Sequence, residues 1–165
     1  MNILIITATP ADDLQNYKLL SKLADSYEKG AKEKGSQVLR LFLSDNIPIS
    51  NDAIHKMAWA DHLVLVFPLI SSYPPALLVA FFEKLFSNEK VLRASSARLI
   101  MLDTRPEFLS LFNSRHPAVV MMKKKIMDLA PLSTVTVSIF RLKNNNNFNL
   151  EKNSYHIYRE ALDEN

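Results

Sequence analysis

Residues 60–86 decide the fold, and they read ADHLVLVFPLISSYPPALLVAFFEKLF. The unbroken apolar run Leu63–Phe67 is followed by a segment with three prolines and then by the apolar stretch Ala76–Ser87. A continuous apolar run is typical of a strand that is buried on both faces, whereas a half-exposed strand alternates. The stretch after the paired prolines predicts a helix that is apolar almost all round and therefore well buried. Together these residues predict a central parallel strand, a proline-rich loop and a packed helix.

The same alternation of strand and helix extends along the chain. Further strands are predicted at Ile3–Ile6, Val38–Leu43, Leu99–Leu102 and Val135–Phe140. The helices between and after them are expected from Thr9, as N-cap, to near Gly35, then at about 51–60, 117–129 and 153–162. Five such units predict an α/β parallel sheet with helices on both faces, and right-handed crossovers favour the flavodoxin-like strand order 2-1-3-4-5. We expect one domain over residues 1–165.

The composition excludes several classes of enzyme. The chain has only two glycines, Gly30 and Gly35, so neither the dinucleotide fingerprint G-x-G-x-x-G nor the Walker A loop nor the nucleophile elbow G-x-S-x-G can form. There is no cysteine, which removes thiol nucleophiles, disulfides and cysteine-ligated zinc. The four histidines are scattered, and we expect no metal site.

Charge and hydropathy are those of an ordinary globular protein. The net charge is +3, and the only basic cluster, Lys123–Lys125, is better explained as the solvated face of a helix than as a nucleic-acid site. No window approaches 18 uncharged apolar residues, so no membrane span is predicted. The amino terminus does not look like a signal peptide, and a cytoplasmic location is expected.

The proline-rich loop and the helix after it carry a motif. Pro68-Leu69, then Pro75-Ala76, then an aromatic position at Phe81 or Phe82, then 83–86, stand at the spacing of the pattern P-L-Y-W … P-A-x-L-K-x-W-x-D-[RK]-[VL]-F. In this stretch the chain resembles the flavodoxin-like NAD(P)H:quinone oxidoreductases, a family that includes ancillary proteins of potassium-efflux systems. The sequence departs from the family in detail, so it resembles a divergent member.

The resemblance implies a cofactor, a reaction and a set of site residues. It implies FMN or FAD, NAD(P)H as co-substrate, a quinone-like acceptor and a homodimer. His116 is the candidate catalytic residue. The implied cofactor-binding residues are Thr7, Thr9, Asn16, Pro68, Leu69, Ile70, Ser71, Thr104 and Arg105. Some of them also have a plainer explanation: Pro68 and Leu69 can serve as loop scaffold, Arg105 as the partner of Glu107 in a surface ion pair, and His116 as the residue before a helix.

Several departures from the family pattern bear on the flavin. Ile70-Ser71 stand where the family has a tyrosine–tryptophan pair, and Tyr73 lies out of register with that pair. After the fourth strand, Thr104-Arg105-Pro106-Glu107 stand where relatives have T-x-G-G. Asp12 and Asp13 lie at the start of the first helix, where relatives hold a flavin phosphate. An aspartate and a phosphate, taken as two unit charges 6 Å apart, repel by about 2.8 kcal/mol at an effective dielectric constant near 20. These aspartates are therefore expected to weaken the binding of a phosphorylated flavin.

Two functions therefore stay open at this point. One is a flavin-dependent oxidoreductase, and the other is a binding or regulatory module whose flavin site has been lost. A phosphoacceptor receiver domain is excluded, because the third strand ends in Phe67-Pro68 with no aspartate. A nucleoside- or nucleotide-binding hydrolase on a related sheet is less favoured, because no paired carboxylates stand at suitable strand ends.

Overall fold

The computed structural model describes residues 1–43, 50–86, 92–103, 116–128, 132–141 and 149–164. Strands and helices alternate along them. In chain order the elements are β1 (Asn2–Ala8), α1 (Leu14–Glu33), β2 (Gln37–Leu43), α2 (Asn51–Trp59), β3 (His62–Leu69), α3 (Ala76–Phe86), β4 (Ser96–Asp103), α4 (Pro117–Met127), β5 (Thr134–Arg141) and α5 (Leu150–Asp163). Each predicted element is present, with bounds shifted by at most three residues except at the start of α1.

The five strands form one sheet in the order β2-β1-β3-β4-β5, and every neighbouring pair is parallel. The predicted flavodoxin-like topology is confirmed. All eight residues of β3 are buried, as the unbroken apolar run predicted. Because parallel strands share one direction, the sheet has an amino edge, where the strands begin, and a carboxyl edge, where they end.

A separate apolar cluster covers each face of the sheet. On one face, β1 and β3 pack against Leu20, Leu23 and Tyr27 of α1 and Ile157 of α5. On the other face lie α2, α3 and α4, and α3 buries Leu78, Phe81, Phe82 and Leu85 as its apolar sequence predicted. Within the described residues, no helix is long and apolar enough to cross a membrane.

Helices α1 and α5 lie in close contact at Gly30. A Cβ atom on this residue would overlap the carbonyl oxygen of Tyr158 and lie 3.0 Å from the Cβ of Ala161. Glycine is thus needed here for the approach of two helix backbones. The other glycine, Gly35, has φ +88° and follows the end of α1, where a left-handed residue is common.

The prediction that Thr9 caps α1 is wrong. The helix begins at Leu14, and the N-cap is Asp13, whose carboxylate accepts a hydrogen bond of 3.1 Å from the backbone N–H of Asn16. Pro10 lies instead in a turn closed by a bond from the Asp13 N–H to its carbonyl oxygen. Aspartate is the stronger N-cap of the two residue types, so the helix starts where the better cap stands.

A polar network crosses the amino edge of the sheet. Arg98 of β4, 7% exposed, donates from Nε to the Glu164 carboxylate at 2.9 Å, and its terminal nitrogen lies 2.9 Å from Glu160. Tyr27 and Thr136 also donate to Glu164. Burial alone would raise the pKa of Glu164, but the hydrogen bond from Arg98 and the other donors hold it below its ordinary value. The network joins α1, β4, β5 and the end of α5.

His62 lies beside this network and is 1% exposed. Its Nδ1 is 2.7 Å from the Ser96 hydroxyl, and its Nε2 is 3.6 Å from a Glu164 oxygen. Its ring stacks parallel to Tyr27, with centroids 6.5 Å apart. Burial lowers the pKa of His62, and the positive charge of Arg98 lowers it further against the opposing effect of Glu164. The histidine is therefore neutral in the folded protein at pH 7.

Replacing Glu164 should destabilise the protein strongly. In Glu164→Gln the Arg98 guanidinium loses one of its two carboxylate partners, and breaking a buried ion pair costs about 3 kcal/mol. The measurement is urea unfolding at pH 7. Asp163→Asn, which changes the exposed carboxyl next to it, is the matched control and should unfold with the wild-type midpoint. Equal midpoints for both variants would contradict the role given to the network.

Acid should weaken the fold through His62. Its pKa is lower when folded than its ordinary value of 6.5, so below about pH 6.5 the unfolded chain binds more protons and the free energy of unfolding falls. The effect of Glu164 has the same sign but begins only below its ordinary value of 4.5. The measurement is the difference between the urea midpoints at pH 7.5 and pH 5.5, which should be smaller in His62→Gln than in wild type. The control is His55→Gln, at an exposed histidine, which should show the same difference as wild type.

Candidate functional site

The candidate site lies at the carboxyl edge, between β1 and β3. These strands are neighbours, with Thr7 opposite Val66, yet α1 packs on one face of the sheet and α3 on the other. The change of face opens a crevice outside the strand ends, which is where ligands bind in open parallel sheets. Two loops border it, residues 9–13 after β1 and residues 70–75 after β3. The structure thus places the proline-rich loop and the segment with Asp12 and Asp13 after neighbouring strands.

The loop after β3 begins with a tight hairpin. Ile70 and Tyr73 exchange two backbone hydrogen bonds, of 2.8 and 2.9 Å, around the two-residue turn Ser71-Ser72. Both serines have positive φ angles, 49° and 78°, as in a type I′ turn. Turns of this kind normally use asparagine or glycine, so two serines hold a conformation that is uncommon for their type.

The hairpin presents an apolar surface to solvent. Ile70 is 45% exposed and Tyr73 is 54% exposed. Residues paired directly across an antiparallel bridge project to the same side, so the two side chains lie next to each other. We call Ile70 and Tyr73 the apolar wall. By residue count, Tyr73 is out of register with the family's tyrosine–tryptophan pair. The two-residue turn nevertheless places it beside Ile70, and the signal in the sequence was the pair of serines between two apolar residues.

Two of the predicted loop contacts are part of the scaffold of the sheet. Pro68 and Leu69 are the last residues of β3, both are buried, and they pair with Leu102 and Asp103 of β4. Asp103 is itself 1% exposed, stands opposite Arg141 of β5, and was not selected from the sequence. A direct contact of Pro68 or Leu69 with a flavin stays a prediction.

The loop after β1 places a carboxylate at the start of α1. Besides its bond to the Asn16 backbone, Asp13 accepts a hydrogen bond of 2.6 Å from the Asn16 side-chain amide. Asn16, predicted to donate to a phosphate, thus donates to Asp13. The anion-binding end of the helix holds an anion that belongs to the chain.

The two threonines of this region face inward. Thr7 is 8% exposed in β1, and Thr9 is 1% exposed with its hydroxyl 3.4 Å from the Pro10 carbonyl oxygen. Their predicted contact with a phosphate stays a prediction. Both lie on the sheet side of the loop, below the turn that leads to Asp13.

The remaining predicted residues follow β4 in the sequence. Thr104 and Arg105 fall outside the described residues. His116 is 4% exposed and stands at the N-cap position of α4, where its carbonyl oxygen accepts from the N–H groups of Val119 and Val120. Its catalytic role stays a prediction. In the part of the chain that the structure describes, no three acidic or histidine side chains are grouped to hold a metal ion.

A groove of about 730 Å³ opens beside the crevice, at the first turns of α1 and α5. It is mainly apolar and is lined by Leu14, Tyr17, Lys18, Lys22 and Leu150, among others. Leu14 is 67% exposed. The two lysines give the groove the positive charge nearest to the start of α1 in the sequence.

The family follows from comparison with known proteins. A family model described as flavodoxin-like fold matches residues 1–101, which is more than half of the chain. This chain belongs to that family. The match and the structural neighbours below confirm the predicted resemblance to the flavodoxin-like oxidoreductases. The low sequence identities are those of a divergent member. No curated protein matches the sequence.

Solved structures share the flavodoxin-like fold over the length of the chain. An NAD(P)H:quinone oxidoreductase from Methanothermobacter marburgensis is 16% identical, with a TM-score of 0.75 over 99% of this chain and 96% of its own. The protein Smu.1420 from Streptococcus mutans is 17% identical, with a TM-score of 0.74 over 99% and 100%. An NADH:FMN oxidoreductase (EMOB) in apo form is 15% identical, with a TM-score of 0.60 over 96% and 89%. At these identities the likeness shows the fold.

Relaxing the hairpin turn should stabilise this flavodoxin-like chain. Ser71→Gly removes the steric cost of a positive φ, about 1–2 kcal/mol, against a smaller loss of backbone entropy, so a net gain of about 0.5–1 kcal/mol is expected. Thermal unfolding measures it. Ser71→Ala, which removes the hydroxyl and keeps the steric cost, is the control. A gain in both variants would show that the backbone angle is not the cause.

Proposed function

We propose that this chain is a flavin-dependent oxidoreductase that takes electrons from NAD(P)H and reduces a quinone-like acceptor. The observation that carries the proposal is the apolar wall, two exposed apolar side chains at the carboxyl edge of the sheet, directly after β3. An apolar surface that is kept exposed on a rigid loop is typical of a binding site.

The wall suits a flat ring system. Tyr73 offers an aromatic face and Ile70 an aliphatic one, and the two backbone bonds between them fix their spacing. Pro74 and Pro75 are buried directly after the hairpin and restrict it further. Because the loop is already ordered, little conformational entropy remains to be lost when a ring binds.

The fold neighbours support the same class of reaction. Two of them are described as an NAD(P)H:quinone oxidoreductase and an NADH:FMN oxidoreductase. Because one fold hosts many functions, this support is by analogy, and the argument from the site is the apolar wall. The homodimer that the resemblance implies stays a prediction.

The reaction balances without an acid or base from this chain in the described part of the site. NAD(P)H gives up a hydride, and the quinone takes up two electrons and two protons to form a hydroquinone, the second proton coming from water. A bound flavin would supply the redox chemistry, while the protein holds the rings in contact and limits the access of water. The residues of the wall act by orientation and by exclusion of solvent.

The two ends of a flavin fit this site differently. The ring end is matched by the apolar wall, but the phosphate end of FMN or FAD is not matched at the start of α1, where Asp13 already occupies the N–H of Asn16. The same observation favours a second candidate function, a binding or regulatory module that carries out no flavin chemistry. The two are separated by whether any flavin binds.

Flavin binding tests the proposal directly. Riboflavin, FMN and FAD are titrated with the protein, and quenching of flavin fluorescence is followed. We expect at least one of them to bind and to support NAD(P)H-dependent reduction of menadione. In Tyr73→Ala the affinity should fall by about tenfold, because one aromatic face is worth about 1–1.5 kcal/mol.

The control for this variant is another exposed tyrosine. Tyr155 on α5 is 63% exposed and lies outside the hairpin, so Tyr155→Ala should bind flavin as wild type does. If none of the three flavins binds at micromolar concentration, the oxidoreductase proposal fails and the binding module is the better description. An equal loss of flavin affinity in both variants would show that the apolar wall is not part of the flavin site.

A further inference from the structure

We infer that the site selects a flavin without a phosphate group, so that its ligand is riboflavin or a similar uncharged ring compound and Asp13 is the residue that sets this specificity. The inference rests on the proposed function and gives its ligand class. It reverses the expectation of FMN or FAD that the resemblance carries.

The geometry of Asp13 excludes a phosphate in two ways. First, its Oδ1 accepts the bond from the Asn16 N–H at 3.1 Å, and its Oδ2 accepts from the Asn16 side chain at 2.6 Å. One backbone N–H of the helix start and the side-chain amide of Asn16, two donors that a phosphate could use there, are therefore already bonded to Asp13. Second, Asp13 carries a negative charge at the place where the phosphate would have to lie.

Charge makes the second effect large. The phosphate of FMN has a charge between −1.5 and −2 near pH 7, and even a single unit charge about 6 Å from a carboxylate loses close to a hundredfold in affinity at an effective dielectric constant near 20. Asp13 is half-buried and held by two hydrogen bonds, so it cannot turn away to solvent without uncapping α1. Riboflavin has no charge at this end and meets no such penalty.

The nearby threonines do not offer a replacement for these donors. Thr9 is 1% exposed, and its hydroxyl is directed to the Pro10 carbonyl oxygen. The ring end of the ligand is unaffected, because the apolar wall lies on the other loop, after β3. The site is therefore split into an apolar half that accepts a ring and an acidic half that rejects an anion.

Among the described residues, a competing arrangement uses the groove beside α1. Lys18 and Lys22 line it and are exposed, so a phosphate held there would be paired with positive charge. In that case FMN or FAD would bind at least as well as riboflavin, and Lys18→Gln with Lys22→Gln would weaken FMN and leave riboflavin unchanged. Either result would overturn the inference.

The experiment compares riboflavin with FMN on the wild-type protein and on Asp13→Asn. Asparagine is an equally good N-cap, so this variant removes the charge and keeps the helix start. Wild type should bind riboflavin at least tenfold more tightly than FMN. In Asp13→Asn the affinity for FMN should rise about tenfold or more, and that for riboflavin should change less than threefold. Raising the salt concentration should narrow the wild-type preference.

Asp12→Asn is the matched control, since Asp12 is the exposed neighbour in the same turn and accepts no bond from the helix start. It should change the preference less than threefold. Preference for FMN in wild type, or no change of preference in Asp13→Asn, would overturn the inference and leave the proposed function standing. If no flavin binds to wild type or to Asp13→Asn, the proposed function itself fails.

Discussion

Burial of β3 on both faces is the constraint on which the rest of the structure depends. A strand with eight buried residues needs a helical layer above it and another below, and it needs a hydrogen-bonded neighbour on each side. β1 and β4 supply the neighbours, and the two apolar clusters supply the layers. Once β3 is central, the chain must change face between α1 and α3, and this change creates the crevice that holds the candidate site.

The polar chemistry of the described structure is divided between the two edges of the sheet. At the amino edge, Arg98, Glu164, Tyr27 and His62 form a buried network that ties the last residues of α5 to the sheet. At the carboxyl edge, the described side chains leave an apolar wall and a self-capped helix. The buried polar network therefore lies at the edge opposite the candidate site, where Asp13 both caps α1 and borders the site.

Most of the fold could be predicted from the sequence because each strand contains a short apolar run, unbroken in the central β3, and the helices between them are periodic. The start of α1 could not be predicted, because the sequence offers two start signals, Thr9-Pro10 and Asp13. The hydrogen bond from the Asn16 N–H shows that Asp13 is the cap. The carboxylate at the phosphate position was recognised from Asp12 and Asp13 alone, but which of the two caps the helix needed the structure. The position of Tyr73 beside Ile70 could not be predicted, because a family pattern aligns residues by count, whereas a two-residue hairpin aligns them by backbone pairing.

The contact at Gly30 has a consequence for how the protein responds to a ligand. With the backbones of α1 and α5 touching there, and with Glu164 fastened at the far end of α5, the first helix cannot tilt or slide by itself. Any adjustment that follows occupancy of the crevice must then be absorbed by the two bordering loops. Helices α1 and α5 therefore form a rigid support. When a ring compound binds, we expect the hairpin to move toward the helices and the helices to stay in place.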